Sequence, residues 1–113
     1  MLPYEVAIEE YLDDGGTGPF ARWFGQLDAG AAARVTVALM RLERGATSNV
    51  KGVGDGVQEF RIDSGPGYRI YFGRDGMRLA ILLGGGTKRR QDADIARAMA
   101  HWADYKMRKA RGS

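Results

Sequence analysis

Hydrophobic and polar residues alternate at the start of the chain, where Tyr4, Val6 and Ile8 take every second position. A period of two is the pattern of a half-buried strand, so it predicts a short first strand. Residues 13–18, rich in aspartate and glycine, interrupt this alternation. Pro19 follows them and suits the first turn of a helix, where its missing N–H is not needed.

Two helices are predicted next, because apolar residues recur at spacings of three and four. The first spans residues 19–27, and the second runs from about residue 29 to residue 44. Asp28 lies where an N-cap side chain of the second helix would be, and Gly45 lies where a left-handed residue would end it. With almost no linker between them, the two helices are expected to form an antiparallel hairpin.

The second half of the chain predicts strands followed by a helix. Glycine-rich residues 45–56 predict a loop, with Lys51 near its centre. The predicted strands span residues 58–63, 68–72 and 77–83. Gly84-Gly85-Gly86 is expected to end the last strand, and a final helix is expected to begin at Gln91. The order β-αα-βββ-α is an α+β fold, a small and mainly antiparallel sheet packed on a helix hairpin and a C-terminal helix.

Length and composition narrow the class of protein. The 113 residues suit one domain, which we expect to span residues 1–113. The absence of cysteine excludes disulfides, thiolate metal sites and a cysteine nucleophile. No stretch approaches the roughly 18 apolar residues needed to cross a bilayer, and the first residues do not resemble a secretory leader. We therefore expect a cytoplasmic protein with no membrane partner.

Charge is unevenly distributed along the sequence. Residues 1–33 contain six acidic residues and one arginine, a formal charge of −5, so the remainder carries +8 of the total of +3. Basic clusters at residues 88–90 and 106–111 dominate that remainder. This distribution fits a polyanionic or acidic partner, but it also fits a solvated surface with a disordered basic tail at about residues 108–113.

Familiar hydrolase and metal motifs are missing from the sequence. His101 is the only histidine, so the chain offers no histidine-based metal cluster and no separate histidine for a catalytic triad. Its position inside the last predicted helix indicates a surface or packing residue. The segment Gly84-Gly85-Gly86-Thr87-Lys88 lacks the spacing of a phosphate-binding P-loop. We therefore expect chemistry that uses no metal and no cofactor.

Basic side chains on the predicted strands are the remaining candidates. Strand parity places Arg69 and Tyr71 opposite the apolar face of their strand, and Arg61 takes the same place in its neighbour. Guanidinium groups bind phosphate oxygens in a fork and stabilise the charge that develops in phosphoryl transfer. Tyr71 could stack on a base or transfer a proton. If these strands are adjacent, the side chains would converge into a site suited to RNA phosphate.

Cross-strand ion pairs are the alternative explanation of the same residues. Arg61 and Arg69 both have acidic neighbours within reach, Glu59 and Asp63. Opposite charges on neighbouring strands commonly pair for stability alone. Spacing does not decide between an ion-paired surface and an RNA site.

The order of four motifs resembles one known family. The motifs are Gly56-Val57-Gln58-Glu59-Phe60-Arg61-Ile62, Gly65-Pro66-Gly67-Tyr68-Arg69-Ile70-Tyr71-Phe72, Leu82-Leu83-Gly84-Gly85-Gly86-Thr87-Lys88 and Gln91-Asp92-Ala93-Asp94-Ile95-Ala96-Arg97-Ala98. In this order they resemble the addiction-module killer proteins, the phage-derived HigB-like branch of the RelE/ParE toxins. The similarity covers nearly the whole chain, including the first strand and the helix hairpin.

This resemblance implies a RelE/ParE-like fold, a small curved sheet packed on helices. It also implies a two-gene module whose antitoxin, HigA-like and often with a helix-turn-helix domain, binds and silences the toxin in a hetero-oligomer. RelE-type members cut mRNA in the ribosomal decoding site by making a 2′-hydroxyl attack the adjacent phosphate, with basic side chains in place of a metal. The ribosome and mRNA are therefore expected partners.

The resemblance also assigns residues. The candidate catalytic residues are Arg61, Arg69, Lys88, Arg89 and Tyr71. RNA contacts are expected from Lys51, Arg90, Gln91 and Lys106. The sequence departs from RelE in having Glu59 and Arg61 where RelE has paired lysines, and Asp94-Ile95 where RelE has a tyrosine. The general acid and base therefore stay open between Tyr71, Lys88 and Asp94.

Two other functions share this fold. ParE-like relatives poison DNA gyrase and are not nucleases, and fold alone does not separate the two activities. A catalytically inert homologue that only binds its antitoxin is the second alternative. The predicted basic face favours RNA over both.

Overall fold

The computed structural model describes residues 1–112 of the chain. The strands are β1 (Ala7–Glu10), β2 (Val50–Gly54), β3 (Val57–Ile62), β4 (Tyr68–Arg74) and β5 (Leu79–Thr87). The helices are α1 (Pro19–Phe24), α2 (Ala29–Glu43) and α3 (Gln91–Gly112), and a single 3-10 turn at Lys88–Arg90 precedes α3. This arrangement confirms a mixed α+β fold.

Within the described residues the strands form one sheet, in the order β1-β5-β4-β3-β2. β1 runs parallel to β5, and each other neighbouring pair is antiparallel. The parallel pair needs a long connection, which the α1–α2 hairpin, β2, β3 and β4 supply. The sheet is therefore mainly antiparallel, as the pattern predicts.

Helices cover both faces of this sheet. On one face, which we call the hairpin face, Ile70 and Phe72 of β4 pack in one core with Val35 and Leu42 of α2. On the opposite face, the α3 face, Tyr71 packs in a second core. Because both faces are covered, residues 68–73 of β4 are buried without a break. α3 lies on the opposite side of the sheet from the hairpin, and it therefore covers the face that carries the candidate site.

The α1–α2 hairpin follows local sequence signals closely. The Asp28 carboxylate accepts a hydrogen bond from the Ala31 N–H at 2.8 Å, which is the predicted N-cap. Gly45 adopts a φ of +86° just after α2, which confirms the predicted left-handed ending. A Cβ atom there would lie 2.9 Å from the Tyr4 carbonyl oxygen, so the close approach also requires glycine.

Strand boundaries differ from the prediction at several positions, and β5 begins at Leu79 instead of residue 77. Residues 50–54 form β2 within the expected loop, because pairing with β3 stabilises a segment whose own β propensity is low. β5 continues through the expected stop at residues 84–86 and ends at Thr87. The Trp23 ring occupies the space of a Gly85 side chain, and the Asp94 carboxylate occupies that of Gly86, so these glycines make room for helices. At the start of the chain, the Val6 N–H bonds the Glu43 carbonyl, and β1 begins one residue later.

The basic tail, whose order the sequence left open, is helical in the described residues, since α3 continues through Gly112. Arg108 holds this part against the rest of the fold, because its guanidinium donates to the Leu12 carbonyl oxygen at 2.6 Å. Ser113, the last residue of the predicted tail, lies outside the described residues. Over residues 1–112, no helix has both the length and the apolar character needed to cross a membrane.

Candidate functional site

The candidate site lies on the α3 face, at the end of the sheet where β5 meets the 3-10 turn. Arg61 of β3 and Arg69 of β4 are directly opposite in the antiparallel register. Directly opposite residues of an antiparallel pair project to the same face. The structure therefore places these two arginines side by side, as strand parity predicts.

Arg69 belongs to a buried ion pair. Its Nε lies 3.5 Å from Glu59 Oε1, and the two side chains are 7% and 0% exposed. Its Nη1 also donates to the Gly67 carbonyl oxygen at 2.8 Å, which fixes the turn between β3 and β4. The guanidinium is thus held from two sides, and little of it reaches solvent.

Glu59 connects the sheet to α3. Besides facing Arg69, its Oε2 accepts a hydrogen bond from Gln91 Nε2 at 2.7 Å. Gln91 is the first residue of α3, so one buried carboxylate joins β3, β4 and the beginning of that helix. The resulting group, which we call the Glu59 cluster, contains Glu59, Arg69, Tyr71, Gln91 and Asp94.

The ion-pair alternative from the sequence is present in the structure. Arg61 Nε lies 3.5 Å from Asp63 Oδ1, and both side chains are largely exposed. This pair joins a residue of β3 to the residue that follows the end of β3, whereas the Glu59–Arg69 pair joins β3 to β4. An exposed pair contributes little and exchanges readily with other partners, but a buried pair does not. Arg61 therefore remains accessible to an incoming phosphate, and Arg69 does not in this conformation.

In this conformation Tyr71 cannot contact an RNA substrate directly. Its side chain is fully buried in the core that includes Ile81, Leu83 and Ala98. Burial raises the pKa of its hydroxyl, with a further increase from the Glu59 and Asp94 carboxylates. Strand parity gave the correct face of the sheet but could not show that α3 covers it, so base stacking by Tyr71 is not supported here.

A rim of exposed cations borders the Glu59 cluster. We call this group the basic rim, and its members are Lys51, Arg61, Lys88, Arg89 and Arg90. Lys88 is close to Arg69, because a side chain on Gly67 would contact both Arg69 Nη1 and Lys88 Cβ, at 3.2 and 3.3 Å. Lys51 is directly opposite Glu59 on the edge strand β2. The rim therefore draws its charge from the 3-10 turn and from two strands.

Lys106 is not part of this rim. It follows Gln91 by fifteen residues of continuous helix, a separation of about 22 Å along the axis. Its ammonium lies 5.6 Å from the centre of the Trp102 ring, where it makes a cation–π contact. The predicted RNA contact at Lys106 is thus distant from the other candidates.

From the sequence, Glu59 was expected only as an ion-pair partner, and Asp94 only as one candidate for the general acid or base. The parity that selects Arg61 also places Glu59 on the same face, so a signal existed. In the described part of the chain, several buried polar atoms of the cluster lack a hydrogen-bond partner: Glu59 Oε1, Arg69 Nε, Tyr71 OH and Asp94 Oδ2. Buried groups left unsatisfied are unusual and often mark functional sites.

His101 is half-buried on α3, in agreement with the expected surface or packing position. Its ring contacts the Tyr11 ring at an angle of 30°, with the centroids 4.9 Å apart. Burial lowers the pKa of the imidazole, which therefore stays neutral at physiological pH. Among residues 1–112, no three histidine, aspartate or glutamate side chains are grouped in a way that could hold a metal ion.

The fold and the site together define a small α+β protein with a basic rim over a buried polar cluster. Comparison with known proteins then places it. The chain belongs to the family described as phage derived protein Gp49-like (DUF891), whose model matches residues 22–108. A relative from Haemophilus influenzae, described as an uncharacterized protein, is 41% identical over 80 residues, which cover 70% of this chain and 81% of the relative.

Proposed function

We propose that the protein is the toxin of a two-gene toxin–antitoxin module and acts as a metal-independent, ribosome-dependent mRNA endonuclease. Membership of a phage-derived family and the motif order both support a toxin of HigB-like type. The observation that carries the nuclease is the gathering of Arg61, Arg69 and Lys88 at one end of the α3 face. A ParE-like gyrase poison would not require such a phosphate-binding arrangement.

In the proposed reaction a ribose 2′-oxygen attacks the adjacent phosphorus, and the bond to the 5′-oxygen of the next nucleotide breaks. The 2′-hydroxyl loses a proton and the leaving 5′-oxygen gains one, so the products are a 2′,3′-cyclic phosphate and a 5′-hydroxyl. Charge on the phosphate oxygens increases on the way to the transition state. Arg61 and Arg89 are exposed and would stabilise that charge without a metal.

We assign proton donation to Lys88. It is exposed beside Arg69, whereas Tyr71 is fully buried and the Asp94 carboxylate pairs with Arg97 at 2.6 Å. A positioned acid contributes roughly 10²–10⁴ to the rate. Lys51, Arg90 and Gln91 would hold the flanking backbone, and Tyr71 would act from beneath by packing under the cluster.

Arg69 is treated separately from Arg61 and Arg89, because it is buried in an ion pair with Glu59. Its charge supports the transition state once the 3-10 turn and Gln91 move away from Glu59 on the ribosome. The unsatisfied atoms of the Glu59 cluster support such a movement, because a bound phosphate would give Arg69 Nε the partner it lacks. Without movement, Arg69 would act only by positioning Lys88 through the Gly67 turn.

The antitoxin would neutralise the toxin by binding the basic rim or by holding α3 closed. An acidic or amphipathic antitoxin segment would complement the rim, and electrostatic attraction would speed its association. A neighbouring gene for a small helix-turn-helix protein is the expected source.

The test uses purified ribosomes programmed with one mRNA, with cleavage mapped by primer extension. We expect the Arg61→Gln, Lys88→Gln double variant to lose about 10²–10³-fold in cleavage rate, as expected for lost charge stabilisation. Both side chains are exposed, so the fold should be unaffected. Arg78→Gln is the matched control, since Arg78 precedes the first residue of β5 whereas Lys88 follows the last, about 30 Å away.

The proposal fails if the double variant cuts as fast as the control, or if no 2′,3′-cyclic phosphate ends form. Inhibition of DNA gyrase supercoiling by the wild-type protein, without mRNA cleavage, would instead assign the ParE-like activity. Normal growth of cells that overproduce the folded protein would indicate an inert antitoxin-binding homologue.

A further inference from the structure

A groove of about 260 Å³ lies outside the proposed catalytic site, between α1, the end of β5 and the beginning of α3. It exists because β1 pairs with β5 only as far as the Glu10–Leu82 pair. Among the described residues, the β5 edge beyond Leu82 therefore has no neighbouring strand on that side. Gly84 and Gly85 lie on this edge and line the groove; the Trp23 ring covers one side of Gly85, and a Cβ atom on Gly84 would meet nothing within 4 Å.

Arginines from separate elements border the groove. Arg22 comes from α1, Arg90 from the 3-10 turn and Arg97 from α3. In residues 1–112 neither Arg22 nor Arg90 makes an ion pair or a side-chain hydrogen bond, whereas Arg97 pairs with Asp94. The groove thus holds more positive than negative charge, and two of its guanidinium groups are available to a ligand.

Aromatic rings also line the groove, together with the Asp94 carboxylate that pairs with Arg97. The Trp23 ring lies against the backbone of Gly85, where no side chain could fit. His101 lines the groove as well, and burial lowers the pKa of its imidazole. Flat aromatic surfaces beside guanidinium groups are typical of sites that bind a base together with its phosphate.

We propose that this groove binds one nucleotide of single-stranded RNA, with Arg22 and Arg90 on its phosphate and Trp23 beside its base. The inference rests on the proposed function and extends it, because it gives the substrate a second contact outside the cut. At about 260 Å³ the groove is smaller than typical drug-sized pockets of roughly 300–1,000 Å³, which suits one nucleotide better than a protein helix.

The test follows backbone and indole NMR signals of the full chain, labelled with ¹⁵N, during titration with a short RNA made uncleavable by 2′-O-methylation. We expect the amides of Gly84 and Gly85 and the indole N–H of Trp23 to shift. Arg22→Gln changes the groove arginine that lies outside the basic rim, and this variant should bind the RNA roughly tenfold more weakly. The slope of log affinity against log salt should fall by about 0.7 for each phosphate contact removed.

Arg44→Gln is the matched control, because Arg44 is exposed and borders a different cavity near Glu43 and Arg78. The proposal is overturned if the signals of Gly84 and Gly85 do not shift, or if Arg44→Gln weakens binding as much as Arg22→Gln. Shifts caused by a polyglutamate peptide but not by the RNA would make the groove a protein-binding site and overturn it as well.

This readout is independent of cleavage. Binding in the groove by a protein that cuts no mRNA would contradict the nuclease and leave the RNA-binding site standing. Cleavage without shifts at Gly84 and Gly85 would leave the nuclease standing and remove the groove from the substrate path.

Discussion

At the scale of single residues, Glu59 is the most informative position. Its carboxylate has no exposed surface, yet it faces Arg69 and accepts a hydrogen bond from Gln91. The sequence predicted the face on which Arg69 lies, because parity along a strand is local. It could not predict burial, since the residues that cover Arg69 come from a helix more than twenty positions further along the chain. For the same reason it ranked Tyr71 as an accessible group.

Replacing Arg69 should therefore affect stability as well as activity. Arg69→Ala leaves the Glu59 carboxylate buried and without its counter-charge, which we expect to lower the free energy of unfolding by about 3–5 kcal/mol. Urea denaturation followed by circular dichroism measures this change. A loss of toxicity in Arg69→Ala alone would consequently not identify a catalytic group.

The control for this prediction removes both charges together. An Arg69→Gln, Glu59→Gln double variant leaves no uncompensated buried charge, so it should recover much of the stability lost in Arg69→Ala. Equal destabilisation of the two proteins would show that packing, and not charge pairing, is the important contribution of Arg69.

At the scale of elements, the helices were more predictable than the strands. The limits of α2 follow from an N-cap and a left-handed glycine next to it in sequence, and these signals act locally. β2 was missed because its order depends on pairing with β3, with which four of its five residues are in register, and because Gly52 and Gly54 hide the alternation. β5 was ended too early, because its glycines look like a break and instead accommodate side chains from α1 and α3.

The contact between α3 and β4 depends on one such glycine. A Cβ atom on Gly73 would lie 2.5 Å from the Trp102 ring, and φ at this position is not in the left-handed region. Gly73→Ala should therefore lower the free energy of unfolding by about 1–3 kcal/mol through overpacking alone. Thermal unfolding measures the loss.

Gly52→Ala provides the comparison for this change. Gly52 lies on β2, and a Cβ atom there meets nothing within 4 Å. Its effect on stability should stay within about 0.5 kcal/mol. Similar losses in both variants would show that backbone preference, and not the Trp102 ring, controls Gly73.

At the scale of the whole molecule, α3 is attached near both ends. Its first residue bonds Glu59, and near its other end Tyr105 donates to the Asp75 carboxylate at 2.6 Å. Asp104 accepts a hydrogen bond from Tyr11 at 2.6 Å. The sequence predicted a sheet with a helix hairpin and a last helix. It did not predict that the last helix would cover the face of the sheet opposite the hairpin, because a hydrophobic pattern does not indicate the face of the sheet on which a helix packs.

The attachment at the far end of α3 should depend on pH. Hydrogen bonds from Lys109 and Tyr105 lower the pKa of Asp75, and hydrogen bonds from Tyr11 and Arg108 lower that of Asp104. A carboxyl group with a lowered pKa stabilises the folded state above its usual value of 3.8 and loses that contribution as pH falls through the folded pKa. Acid should therefore release this end of α3 first.

Amide hydrogen exchange resolved by residue measures this release. Protection of residues 104–111 should decrease as the pH falls below about 4, before that of β4 does. In an Asp75→Asn, Asp104→Asn double variant, the pH dependence of amide protection should be the same for residues 104–111 as for β4. Simultaneous loss of protection throughout the wild-type protein would contradict an independent attachment at this end.

The exposed edge of β2 affects how the protein behaves at high concentration, where copies could associate through it. The outer side of β2 has no strand neighbour among the described residues, and such an edge is a template for association between copies. Lys51 is the second of the five residues of β2 and is exposed, between Val50 and Gly52. A charge there repels an identical edge, so the same lysine that we place on the RNA path would also keep the molecules from assembling into intermolecular sheets.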